Sequence, residues 1–179
     1  LVICPPAIYL SNLQQNFAQN NLLDILNVKL GAQNSAQFTQ GAYSGEISTV
    51  MLADVGVEYV LIGHSERRQY FNEDNNVLLD KYQLALEANL KPILCVGETL
   101  TEREQDIAVN MIKQQLESIL STTNLNQDIV YIAYEPVWAI GTGITASAEQ
   151  IQSMHQAIIE IMANLGLDRS KLQLLYGGS

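Results

Sequence analysis

The sequence predicts an α/β fold of the (β/α)8 barrel type, with about six of the eight units present, and three observations predict it. Apolar strand-like runs recur at Leu1–Cys4, Lys29–Gln33, Glu58–Ile62, Pro92–Val96, Ile129–Ala133 and Leu172–Tyr176. Helical periods separate them, and near-continuous apolar runs alternating with helices belong in a parallel sheet covered on its faces. Polar and glycine residues collect after nearly every run: Ala32-Gln-Asn34, Gly63-His-Ser-Glu66, Gly97-Glu98, Glu135 and Gly177-Gly-Ser179. A barrel builds its site from the C-terminal ends of many strands in this way. The whole of residues 1–179 reads as one partial barrel domain.

Among the intervening segments, Ile47–Val55 is apolar-rich. Asn76–Ala88, Ile107–Leu120 and Ala148–Leu165 repeat apolar residues at helical spacing. The polar stretch Ser121–Gln127 reads as a surface connection. Neither GxGxxG after the first strand nor GxxxxGK[ST] occurs, which removes the main support for a nucleotide-binding doubly wound sheet. Leu1 opens inside an apolar run and Ser179 follows another directly, so an internal piece of a longer protein is expected.

Composition bounds the rest. A formal charge of −10 argues against nucleic acid and anionic membrane surfaces as partners. An anionic small substrate would need local backbone donors that override the global field. No apolar run is long enough to span a bilayer and no secretory signal is visible, so a cytoplasmic location is expected. Cys4 and Cys95 lack metal-ligand spacing and read as buried free thiols; no metal and no cofactor are expected.

Two segments carry chemistry. In Ala133-Tyr-Glu-Pro-Val-Trp-Ala-Ile-Gly-Thr-Gly143 the carboxylate of Glu135 sits where a strand ends, and Pro136 fixes the turn. Val137, Trp138, Ala139 and Ile140 then form a short apolar flap closed by Gly141, Thr142 and Gly143, as a water-excluding lid over a base would. In Val60-Leu-Ile-Gly-His-Ser-Glu-Arg-Arg68 a strand delivers His64 to its end and Ser65 can begin a short helix. The positive end of that helix would disfavour a protonated imidazole, leaving a neutral hydrogen-bond donor. Arg67 and Arg68 could pair with carboxylates. His155, in mid-helix, reads as a solvated bystander.

These two segments resemble the active-site signatures of the triosephosphate isomerase family. Gly31-Ala-Gln-Asn34, Gly41-Ala-Tyr-Ser-Gly-Glu-Ile-Ser48, Leu94-Cys-Val-Gly-Glu98 and Tyr176-Gly-Gly-Ser179 are similar to further family segments, in the family's order and spacing. The resemblance implies a TIM barrel and the interconversion of dihydroxyacetone phosphate and glyceraldehyde 3-phosphate. Glu135 would be the base and His64 the electrophile, a pairing for which this enzyme is itself the reference example. Ser65 and Glu66 would support them, and the backbone of Gly141 and Ser179 would hold the phosphate. Tyr43, Ser44, Gly45 and Glu46 fall in the family's dimer loop, which implies a homodimer in the full-length protein. The family's first strand, with its catalytic Lys, would precede Leu1, and its last strand would follow Ser179. Ile144 stands where many members carry Lys. Residues 1–179 alone are therefore expected to be inactive and poorly soluble. A non-catalytic phosphate-binding module would have no use for Glu135, His64 and the flap together.

Overall fold

The computed structural model describes residues 1–20, 27–123, 125 and 129–177. Six strands follow one another in chain order: β1 (Val2–Ile3), β2 (Lys29–Ala32), β3 (Tyr59–Ile62), β4 (Lys91–Val96), β5 (Val130–Tyr134) and β6 (Leu172–Tyr176). The helices described between and beside them are α1 (Leu10–Gln19), α2 (Thr49–Asp54), α3 (Ser65–Phe71), α4 (Asn75–Glu87), α5 (Leu100–Glu104), α6 (Ala108–Leu120) and α7 (Ala148–Asn164). The class is α/β, as the alternation predicts.

The chain forms two compact units, Leu1–Ile62 with Asp80–Ile93, and Gly63–Leu79 with Leu94–Ser179; α4 and β4 contribute residues to both. In the first unit β1 pairs with β2, and β2 with β3, all parallel. The ladder reaches β4 through the Lys91 N–H, which donates to Glu58 O at 2.8 Å. Leu10, Leu30, Leu52, Val60, Ile62 and Tyr82 are its buried centre. Gly31 has no space for a side chain, because a Cβ there would lie 2.5 Å from Cys4 Sγ. At the N-terminal ends of the strands Glu58 joins Lys29 at 2.9 Å and Lys91 at 3.4 Å.

In the second unit the Glu135 N–H donates to Val96 O at 2.8 Å, and β5 pairs with β6 in parallel over Val130↔Leu172 to Tyr134↔Tyr176. Ile112, Leu116, Ile119, Ile132 and Ile158 are buried there. Both α5 and α7 start with capping boxes, Thr99 with Glu102 and Ser147 with Gln150, which satisfy first-turn N–H groups.

The expected strands all occur, β6 with its expected bounds and the others with one or both ends shifted by a residue. β1 stops at Ile3 rather than Cys4, since Pro5 and Pro6 follow and offer no N–H to a ladder. β5 runs on to Tyr134, which is fully buried. Helices α1 and α5 come in addition to those expected. Cys4 is half-buried, not buried, while Cys95 is buried; both are free thiols. His155 is not a solvated bystander. It is half-buried on α7, its ring meets Tyr134 edge-on at 6.1 Å, and its Nε2 is buried without a hydrogen-bond partner. The Ser121–Gln127 connection lies partly outside the described residues.

Candidate active site

His64, Ser65, Glu66, Glu135 and the whole flap from Pro136 to Gly143 fall in the second unit. β3 ends at Ile62, and Gly63 turns the chain with φ +79°; a Cβ there would lie 3.1 Å from Arg68 Nη2 and 3.3 Å from Cys95 O. His64 is the N-cap of α3, and its Nδ1 accepts the Glu66 N–H at 3.4 Å. That contact fixes the ring's orientation and leaves Nε2 as the nitrogen that faces the site. That Nε2 lies 3.6 Å from Glu135 Oε2, too long for a hydrogen bond and close enough for both groups to address one small molecule.

Glu135 is held by its backbone on both sides. Besides the bond to Val96, Gly177 N–H donates to Tyr134 O at 3.0 Å, and Val137 N–H donates to Glu98 O at 3.0 Å. Its side chain lies across Gly177, where a Cβ would be 3.4 Å from Glu135 Cγ. The residue is 8% exposed. Gly97 is obligatory: a Cβ would overlap the Glu135 carbonyl oxygen. Its peptide is gripped by Gln115 of α6, which accepts Gly97 N–H at 3.1 Å and donates to Gly97 O at 2.9 Å.

The flap begins with a 3-10 turn over Val137–Ala139, with Ala139 buried and Trp138 half-buried. The indole N–H of Trp138 donates to Glu98 Oε1 at 2.9 Å. The same oxygen receives the Tyr134 hydroxyl at 3.0 Å and Arg103 Nη1 at 2.9 Å. Burial, reinforced by Glu98, pushes the Tyr134 phenol well up, so it stays a donor. Gly141 and Gly143 take φ of +68° and +75°, and Gly141 through Thr145 are exposed.

Glu135, Gly63, Ser65, Arg68, Cys95 and Gly97 line a cavity of about 20 Å³ completed by Val96 and Val137. Of the two expected arginine pairings one forms: Arg67 Nε donates to Glu73 Oε1 at 2.6 Å. Arg68 instead donates from Nε to Gly63 O at 3.0 Å and from Nη1 to Asn75 Oδ1 at 2.9 Å. Burial lowers its pKa, against the pull of Cys95, Glu73 and Glu135.

The family model for triosephosphate isomerase matches residues 1–179. The chain belongs to the triosephosphate isomerase family. It is 47% identical over 183 residues to the triosephosphate isomerase of Hydrogenovibrio crunogenus and 44% over 181 residues to that of Endomicrobium trichonymphae. In both cases all of this chain matches and it spans 70% of the relative's length. To the Nitrosomonas europaea enzyme it is 44% identical over 182 residues, with 99% of this chain and 69% of the relative covered. The six parallel units are thus part of a TIM barrel, and the family is one of isomerases.

Of the expected site residues, His64 and Glu135 come together, and Ser65 lines the cavity beside Glu135. Glu66 contributes its backbone N–H to His64, its carboxylate lying 3.8 Å from Nδ1. Ser179 lies outside the described residues. Glu98 and Gln115 are the supporting groups that sequence reasoning left unassigned, and Arg68 supports the Gly63 turn rather than pairing with a carboxylate; for Glu98 the signal was its place beside Gly97 at a strand end. Among the described residues no group of three or more His, Cys, Asp or Glu converges as a metal site, and no helix is long and apolar enough to cross a membrane.

Proposed function

We propose that the protein interconverts dihydroxyacetone phosphate and glyceraldehyde 3-phosphate by proton transfer through an enediol(ate), with Glu135 as base and His64 as electrophile. The observation that carries this reading is the 3.6 Å approach of the His64 imidazole Nε2 to a buried carboxylate. The carboxylate takes a proton from the carbon next to the carbonyl. His64 Nε2–H stabilises the charge that develops on oxygen, and the proton returns to the neighbouring carbon. A neutral donor suits this step because it polarises oxygen without delivering its proton outright. Ser65 and the Glu66 backbone hold the two groups in place. The flap from Pro136 to Gly143 excludes water while the enediolate exists, with Gly141 and Ser179 holding the phosphate by backbone N–H groups.

The same reading makes residues 1–179 one partial barrel domain of a cytoplasmic protein. It places the Tyr43–Glu46 loop in a homodimer interface. It also makes residues 1–179 taken alone inactive, for want of the lysine segment the family carries.

The test is turnover of the intact protein. Glu135→Gln is expected to lower kcat/KM by about 10²–10⁴-fold, the range for a positioned base. His64→Gln is expected to cost about 10²–10³-fold, mainly in kcat. Near-normal turnover by the Glu135 variant would overturn the assignment.

A further inference from the structure

Two buried polar atoms at the site have no hydrogen-bond partner among the described residues, and both belong to residues lining the same cavity. They are Arg68 Nη2 and Glu135 Oε2. One is an obligatory donor and the other an acceptor of full negative charge. A water molecule needs a cavity of roughly 10–15 Å³ and two to four polar partners; this one has about 20 Å³. The Ser65 hydroxyl, also in the lining, can supply a third partner. The remaining polar groups near by are committed: Gly63 O accepts from Arg68, and both sides of the Gly97 peptide are taken by Gln115.

We propose that Arg68 is a positioning residue for the Glu135 carboxylate, acting through one water molecule held in this cavity. The inference rests on the reading of Glu135 as the base. A base works as the anion, and in a water-excluding site a nearby positive charge or donor supports that form. A direct arginine fork would support it too well, lowering its basicity and pinning it in place. One intervening water keeps the charge near, aims the oxygen, and lets the carboxylate move as the proton transfers. Of the other groups facing Glu135, Cys95 is a buried thiol, and His64 in the proposed reaction acts as a neutral electrophile.

Arg68 also carries structure, through Gly63 O and Asn75, so the test separates the two roles. In the intact protein, Arg68→Met is expected to lower kcat/KM by about tenfold, the worth of one hydrogen bond to a charged group. It is also expected to move the acid limb of the kcat/KM profile to higher pH. Asn75→Ala removes one of the two structural contacts and leaves Nη2 in place, and is expected to leave the acid limb where it is. An acid limb unmoved by Arg68→Met, or moved equally by both substitutions, would overturn the proposal.

Should Arg68→Met fail to fold, a high-resolution crystal structure of the unaltered protein decides. One ordered water within hydrogen-bond reach of both Arg68 Nη2 and Glu135 Oε2 is expected; a dry cavity or a direct contact overturns it. The base assignment fails separately, by an active Glu135→Gln. In that case carbon-13 NMR titration of the Glu135 carboxyl in Arg68→Met still reads the coupling without reference to turnover. An upward shift supports the positioning role and an unmoved titration overturns it.

Discussion

Gly97 and Glu98 govern the site without meeting the substrate. At Gly97 a methyl group would overlap the carbonyl oxygen of Glu135, and backbone has no rotamer with which to yield. Gly97→Ala is therefore expected to displace the β5 end and destabilise the protein by about 1–3 kcal/mol, the usual overpacking range. Urea unfolding and turnover measured together check it, because activity should fall more steeply than stability. At Glu98 one carboxylate oxygen gathers three donors on three different segments, and the residue is fully buried. Glu98→Ala strands Arg103, Tyr134 and Trp138 at once. An expected loss of about 3–5 kcal/mol follows from breaking a buried charged group's contacts on one side only. Thermal unfolding of Glu98→Ala against Trp138→Phe, which removes a single donor, measures how much of that loss is the shared oxygen.

Elements show where sequence legibility ends. Strand–helix alternation is written in apolar periodicity, and all six strands fall within a residue of their expected bounds. The flap's glycines, the Pro136 turn and the His64 cap were legible because each follows from local backbone chemistry. Helix α5 was missed although Thr99-Leu-Thr-Glu102 is a capping box in the sequence; at five residues it has too few apolar positions to show a period. The Gln115 grip on Gly97 and the Tyr134 and Trp138 bonds to Glu98 join residues 18 to 40 apart, and nothing local encodes them. His155 was misread because a lone histidine among polar neighbours gives no sign of Tyr134 behind it. At this scale, Ser147→Ala is expected to cost about 1 kcal/mol by removing the α7 cap, read by chemical denaturation.

The Lys29–Glu58–Lys91 cluster gives a pH prediction. Burial works against the Glu58 charge, but the two lysines outweigh it and hold its pKa below the ordinary carboxylate value. Its contribution is present above that ordinary value, about 4.3, and is lost as pH falls through the lower folded value. The group is more than one-third exposed, so the contribution is under about 1 kcal/mol. Stability of Glu58→Gln relative to the unaltered protein should show a small deficit at neutral pH that closes in acid.

For the whole molecule, a charge of −10 sets the background against which an anionic substrate must bind. Raised salt should therefore relieve repulsion by the global field while weakening local donors little, since screening acts on distant exposed charges. The proposed dimer depends on the first unit's exposed 41–47 loop, where Tyr43 stacks on Phe38 at 3.8 Å and both rings are partly open to solvent. Tyr43→Asp is expected to shift the intact protein towards monomer in sedimentation velocity, with a concentration-dependent loss of turnover. A variant that sediments like the unaltered protein would remove this loop from the interface.

The double hydrogen bond from Gln115 to the Gly97 peptide has a genetic consequence. It makes one side chain of an outer helix a silent determinant of where the Glu135 carbonyl rests. A random mutagenesis screen for well-expressed but slow variants should therefore return substitutions at Gln115. Such hits would fall one residue behind the cavity wall, at a side chain that the proposed chemistry itself never uses.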